Sequence, residues 1–298
     1  MNNKIVLLLM TEKGLSVLKR VLKTYPADLV SKVIVCRDEA VKNDFADDII
    51  DLCEQHSIKV SDKLSEKDVE SLCFAVSWRK IIPASTAKRL IVFHDSVLPK
   101  YRGFNPLVTS LLNGDEEIGA TALWAAEKYD RGRVITQKSV KVKYPIKIQS
   151  AIKMVCELYE EMIVEIIGQM IHGKLDQGFA QDDSLATYSV WRDEQDYWVN
   201  WDWHASYMQR FVNAVGFPYK GARALLEQQP VRITDAEAVP DLDIKNRVPG
   251  KIFELEDGSP VVICGTGLLK VTGLISESGE SLLPLKKLKQ RFSSHHDM

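Results

Sequence analysis

No stretch of this chain reaches about 18 consecutive apolar residues, so no segment reads as a membrane-spanning helix. Cysteine is sparse and dispersed. Cys36, Cys53, Cys73, Cys156 and Cys264 form no close pair and show no metal-ligand spacing. That pattern excludes a disulfide framework and points to reduced thiols in a cytoplasmic protein with no metal. An excess of one charge is lacking too: 39 Lys and Arg stand against 41 Asp and Glu, which excludes a strongly basic nucleic-acid coat. There is no internal repeat and no low-complexity tract. The opening MNNKIVLLLMTEKG has a single Lys before its short apolar run and no small-residue cleavage site. It reads as a first sheet strand rather than a signal peptide. What the chain does have is apolar content, 45% of 298 residues, enough for one large domain or two ordinary ones.

Strands and helices alternate through the first half. Strand-like runs at 4–11, 29–36, 57–61, 70–77 and 89–94 are separated by helical patterns at 14–24 and 44–56, and by a short helical piece after Pro83. Such alternation predicts parallel βαβ units and an open, doubly wound sheet. Ligands bind such sheets beyond the carboxyl ends of the strands, and His94 falls at one of those ends. A helix over 104–113, strands over 119–126 and 133–142, and a long helix over 147–172 follow. In that last helix Ile148, Ile152, Val155, Tyr159, Ile163 and Ile166 recur at helical spacing. The polar, aromatic-rich stretch 175–203 reads as a connector wrapping one domain onto the next. Beyond it come a helix over 205–215 and short β-rich runs at 231–233, 250–255, 261–264 and 268–274, broken by Gly-containing turns. These predict a small OB-like β-barrel. The basic stretch Lys286–Arg291 reads as a solvated helix end. The domains are therefore 1–186, holding the doubly wound sheet, and 187–298, connector plus barrel.

The chemistry-bearing residues concentrate in HDSVLPKYRG (His94–Gly103) and YDRG (Tyr129–Gly132). Of six His, His94 alone ends a strand beside a loop shaped by Pro and Gly. Asp130, 36 positions on, follows a neighbouring strand. A carboxylate there could orient the imidazole for general-base work, although spacing alone does not bring the two together.

HDSVLPKYRG resembles the H-x-S-x-L-P-x-x-x-G signature of the formyltransferases that use 10-formyltetrahydrofolate. The stretch NGDEEIGATALWAAEKYDRG is similar to that family's run into its D-x-G, and NWDWHASYMQRFVNAVGFPYKGA to the entry of its C-terminal domain. The resemblance extends over nearly the whole chain and is weakest over 1–75. It implies a Rossmann-like catalytic domain, formyl transfer to an amine, and catalytic roles for His94 and Asp130. VSWRKIIP and AAEKYD resemble the walls of the folate pocket, implying that Arg79, Ile81, Ala125, Ala126, Glu127 and Asp130 hold the folate. The family usually carries Asn two residues before the His as an oxyanion donor, where this chain has Val92. Losing such a donor typically costs about 2.7–4 kcal/mol. Three routes follow: His94 alone or a substitute donor (Asn105 or Ser96), hydrolysis of the formyl-folate, or a binding protein without catalysis.

The family's acceptors include methionyl-tRNA, nucleotide-linked amino sugars and glycinamide ribonucleotide. The last fits poorly, because the turn after the first strand, LLMTEKGLS, has one Gly and a Glu and makes a weak anion nest. Transfer RNA calls for clustered cations, yet residues 187–298 hold 13 Lys and Arg against 15 Asp and Glu. A nucleotide-linked deoxyamino sugar asks for less. Lys100, Arg102 and Trp201 are candidates to meet it, and a homodimer follows from the resemblance to sugar formyltransferases.

Overall fold

The computed structural model describes residues 4–65, 68, 71–80, 82 and 89–294. Those within 4–110, 116–142 and 150–191 form one compact unit, and those within 111–115, 143–149 and 192–294 a second.

In the first unit β1 (Ile5–Leu9), β2 (Val30–Val35), β3 (Val60–Ser61), β4 (Leu72–Val76) and β5 (Leu90–His94) run parallel. The two-residue β6 (Arg102–Gly103) lies outside their sheet; β7 (Glu117–Trp124) and β8 (Val134–Lys141) extend it antiparallel. The order is β3-β2-β1-β4-β5-β7-β8. All five residues of β1 and of β4 are buried, as their unbroken apolar runs require of strands covered on both faces. Helices α1 (Thr11–Thr24), α2 (Ala46–Gln55) and α4 (Ile148–Ile171) pack on this sheet, and α3 (Pro106–Asn113) follows β6. After β1 the strands build outward on one side through β2 and β3, then on the other from β4. The carboxyl ends of β1 and β4 therefore flank the switch point where such folds open a crevice.

Helix α1 starts three residues before the predicted Gly14. That glycine sits inside the helix, where a Cβ would come 3.0 Å from Leu9 Cβ. The predicted helical piece after Pro83 lies outside the described residues. The stretch 175–191 is not a connector but part of the first unit. Phe179 exchanges backbone bonds of 2.8 and 2.9 Å with Val134, and β9 (Tyr188–Ser189) pairs with β6. No described helix is long and apolar enough to cross a membrane.

The second unit carries α5 (Ala205–Ala214) and an antiparallel sheet of β10 (Ala222–Leu226), β11 (Gln229–Val239), β12 (Ile252–Glu256), β13 (Ser259–Ile263), β14 (Leu268–Ser276) and β15 (Phe292–Ser293), in the order β12-β13-β14-β11-β10-β15. The sheet curls into a half-barrel: Lys251 bridges Arg291, and Phe292 N–H donates to Gly250 O at 2.8 Å. The short run predicted at 231–233 is the middle of an eleven-residue strand whose register shifts on both sides of Asp235. Lys286–Arg291 forms no helix; it is irregular chain leading into β15.

Candidate active site

His94 ends β5 with 7% of its surface exposed. The loop after it is held from two sides. Thr121, opposite His94 on β7, donates its hydroxyl to Ser96 O (2.6 Å) and accepts from Leu98 N–H (3.0 Å), while Gln137 donates to Leu98 O (2.7 Å). From the 175–191 stretch, Thr187 N–H donates to Pro99 O (3.2 Å) and Thr187 Oγ1 accepts from Tyr101 N–H (2.8 Å). So fixed, Tyr101 O lies 2.8 Å from His94 Nε2. A carbonyl only accepts, so Nε2 carries hydrogen. The other ring nitrogen, Nδ1, stands 3.5 Å from Asp130 Oδ1.

Asp130 adopts a left-handed backbone (φ 55°) in the turn between β7 and β8, and its Oδ2 accepts from Gly103 N–H at 2.8 Å. The glycine of this Asp-Arg-Gly run has a steric cause, since a Cβ on Gly132 would lie 1.6 Å from Trp124 O. Gly103 (φ +104°) is equally confined, with Ser189 O 2.3 Å from where its Cβ would be. The result is a proton-accepting nitrogen facing a carboxylate that stabilises it once protonated, which is the arrangement a general base needs.

Behind His94, Asp95 turns inward. Lys13 pairs with it and Tyr159 donates its hydroxyl at 2.5 Å. Burial alone would push the Asp95 carboxyl up; Lys13, Tyr159 and His94 outweigh it and hold it below the usual range. Burial, then Asp95, drives the Tyr159 hydroxyl well above its ordinary value. Nothing in H-x-S spacing signals this group.

Beside the pair lies an apolar bed. Leu64, Trp78, Ile82, Val92 and Ala125 pack against Val6, Leu8, Ile34, Cys73, Ala75 and Leu90. At its edge, after β4, Ser77 Oγ and Trp78 Nε1 are buried with no hydrogen-bond partner among the described residues. Ser77 is also left-handed, with φ 54°. Orphaned polar atoms on strained backbone suit a planar, polar-edged ring.

Of the predicted pocket residues, Ala125 N–H donates to Leu90 O (2.8 Å) while Ala126 and Glu127 are exposed. Arg79 pairs with Asp38 at 2.9 Å, and Ile81 lies outside the described residues. Val92 sits in the apolar bed and offers no donor. Among the substitutes, Ser96 donates its hydroxyl to Lys100 O (2.5 Å) and Asn105 Nδ2 lies 3.5 Å from Val190 O. Lys100 is exposed, its ammonium 4.9 Å from the Tyr101 ring centroid. Arg102 is not at the surface but 2% exposed, bonded to Gln181 and Asp183. Trp201 is buried in the second unit, its ring 5.2 Å from that of Phe292. Both are used structurally, because desolvated polar groups must find partners and large rings fill cores. Among the described residues, no three His, Cys, Asp or Glu side chains converge as a metal site.

The model of the formyl transferase family matches residues 2–167, and that of its C-terminal domain residues 192–290. The chain belongs to the formyl transferase family. A methionyl-tRNA formyltransferase of Syntrophomonas wolfei is 24% identical over 82% of this chain and 81% of its own length. Three further methionyl-tRNA formyltransferases are matched over only 56%, 60% and 55% of theirs. Two solved formyl transferases share the fold. WlaRD, a sugar 3N-formyl transferase determined with dTDP and 5-N-formyl-THF, superposes with a TM-score of 0.69 at 17% identity, over 94% of this chain and 98% of its own. An N-formyltransferase from Helicobacter canadensis, in complex with folinic acid and dTDP-3-aminofucose, gives 0.66 at 16%, over 93% and 99%.

Proposed function

We propose that this chain moves a formyl group from 10-formyltetrahydrofolate to the amine of a nucleotide-linked deoxyamino sugar. The observation that carries the chemistry is His94 Nδ1 facing Asp130 Oδ1 at 3.5 Å beside the apolar bed. When bound, the folate supplies an activated formyl carbon open to attack by a neutral amine. As the amine nitrogen bonds to the formyl carbon and the bond from that carbon to folate N10 breaks, the proton released by the amine would pass to His94 Nδ1, where the Asp130 carboxylate stabilises the imidazolium, and then from His94 to the departing N10. Tyr101 O holds the ring through Nε2. Ser77 Oγ and Trp78 Nε1, buried and without a partner among the described residues, would be the polar groups available to a pterin edge, and Val92 and Ala125 would offer it apolar surface.

For the acceptor, the reading is supported by the two sugar-linked formyl transferases alike over more than nine-tenths of both chains and by the acidic balance of 187–298. Lys100, exposed on the loop after His94, is a candidate cation for a diphosphate. Methionyl-tRNA is the second reading, favoured by the curated relatives. The test is incubation with the formyl-folate and, separately, a panel of nucleotide-linked amino sugars and methionyl-tRNA, followed by mass spectrometry. A gain of one formyl group on a sugar supports the first reading and on methionyl-tRNA the second. Folate turnover with no acceptor marks a hydrolase, and no turnover of any kind defeats the enzymatic reading.

A further inference from the structure

We propose that Gln181 is a positioning residue that sets the spacing between His94 and Asp130. Its amide stands between the two loops of the site. Nε2 donates to Asp130 O and to Gly132 O, both at 2.8 Å. Oε1 accepts from Arg102 Nε at 3.1 Å and Nη2 at 2.8 Å. Arg102 is anchored in turn: 2% exposed, with Nη1 on Asp183 at 2.7 Å. It lies between Tyr101, whose carbonyl holds His94 Nε2, and Gly103, whose N–H holds Asp130 Oδ2. A single side chain therefore joins the strand that fixes the imidazole to the turn that carries the carboxylate. It grips that turn by the carbonyl of Asp130 itself, where the backbone is left-handed. Only an amide fits both duties, because a carboxylate has no hydrogen to give the two carbonyls and an ammonium cannot accept from Arg102.

The inference rests on reading His94 and Asp130 as the reacting pair, and the test separates the two. Gln181→Ala and Gln181→Glu are compared with wild type in steady-state formyl transfer and by nitrogen-15 NMR of the His94 ring in the resting protein. The Glu variant retains an acceptor for Arg102, so it keeps the packing should the Ala variant fail to fold. Both should lose kcat on the order of 10²-fold, as misplacement of about 1 Å does. KM for both substrates should change by no more than about threefold, the signature of a loss confined to the transition state. The His94 ring signals should move in both variants. Ser184→Ala, exposed on the same stretch and bonded to Asp182, should leave rate and signals unchanged. Unmoved His94 signals, or a wild-type kcat in Gln181→Glu, overturn the positioning role. A wild-type protein that turns over no formyl-folate defeats the functional reading instead, and the His94 signals still decide the role of Gln181.

Discussion

Gly132 illustrates how strictly single residues are specified around His94 and Asp130. A methyl group there would overlap Trp124 O, so Gly132→Ala must displace the turn that carries Asp130. The expected outcome is a fall in kcat on the order of 10²-fold, read in a formyl-transfer assay alongside a thermal melt. The thiols give a second prediction at this scale. Burial pushes Cys53 up to about 11, and Cys73, Cys156 and Cys264 to about 12. Since only the thiolate reacts, iodoacetamide at neutral pH should leave these four unlabelled in the folded protein and label them in urea, as mass spectrometry would reveal. Labelling of any of them in the folded state would contradict the burial described.

Between elements, the Lys13–Asp95 pair ties α1 to the end of β5, and Tyr159 brings in α4. Lys13→Met leaves a nearly buried carboxylate without its cation and should cost about 3–5 kcal/mol in urea unfolding; Lys13→Met with Asp95→Asn should recover much of it. No change in the single variant would mean that the carboxylate is solvated. This network was not legible in the sequence, because an Asp after a His and a Lys in the first turn of a distant helix share no local pattern. β1, β4 and α4 were legible for the opposite reason: their burial is uniform or periodic along the chain, and burial is what hydrophobic patterning records. β6, β9 and β15 are two residues long, too short for a period, so 175–191 read as a connector although it holds up the loop after His94. β11 was half seen because its register shifts around Asp235 break the alternation. At the site itself, His94 and Asp130 stood out by motif. Gln181 and Thr187 did not, since what they offer is hydrogen bonds to distant backbone.

At the scale of the molecule, each unit has its own polar clasp. In the second, Glu194 pairs with Lys220 at 2.7 Å and Arg232 at 2.8 Å. The bond from Lys220, with help from Arg232 and against burial, lowers its carboxyl from 4.5 to about 2. A carboxyl held down on folding contributes stability that is complete above its unfolded value and is lost as pH falls through the folded one. The melting temperature of Glu194→Gln should therefore lie below that of wild type at neutral pH, and the gap should close between about 4.5 and 2. Because Glu194 is 43% exposed, water screens the pair and the gap should be small. A gap that widens in acid would contradict the sign. The most direct measurement of the central claim is formyl transfer by His94→Ala and Asp130→Asn beside folate binding by the same proteins. Turnover should fall by about 10²–10⁴ in both variants, with folate affinity unchanged in His94→Ala; either variant retaining wild-type turnover would contradict the account.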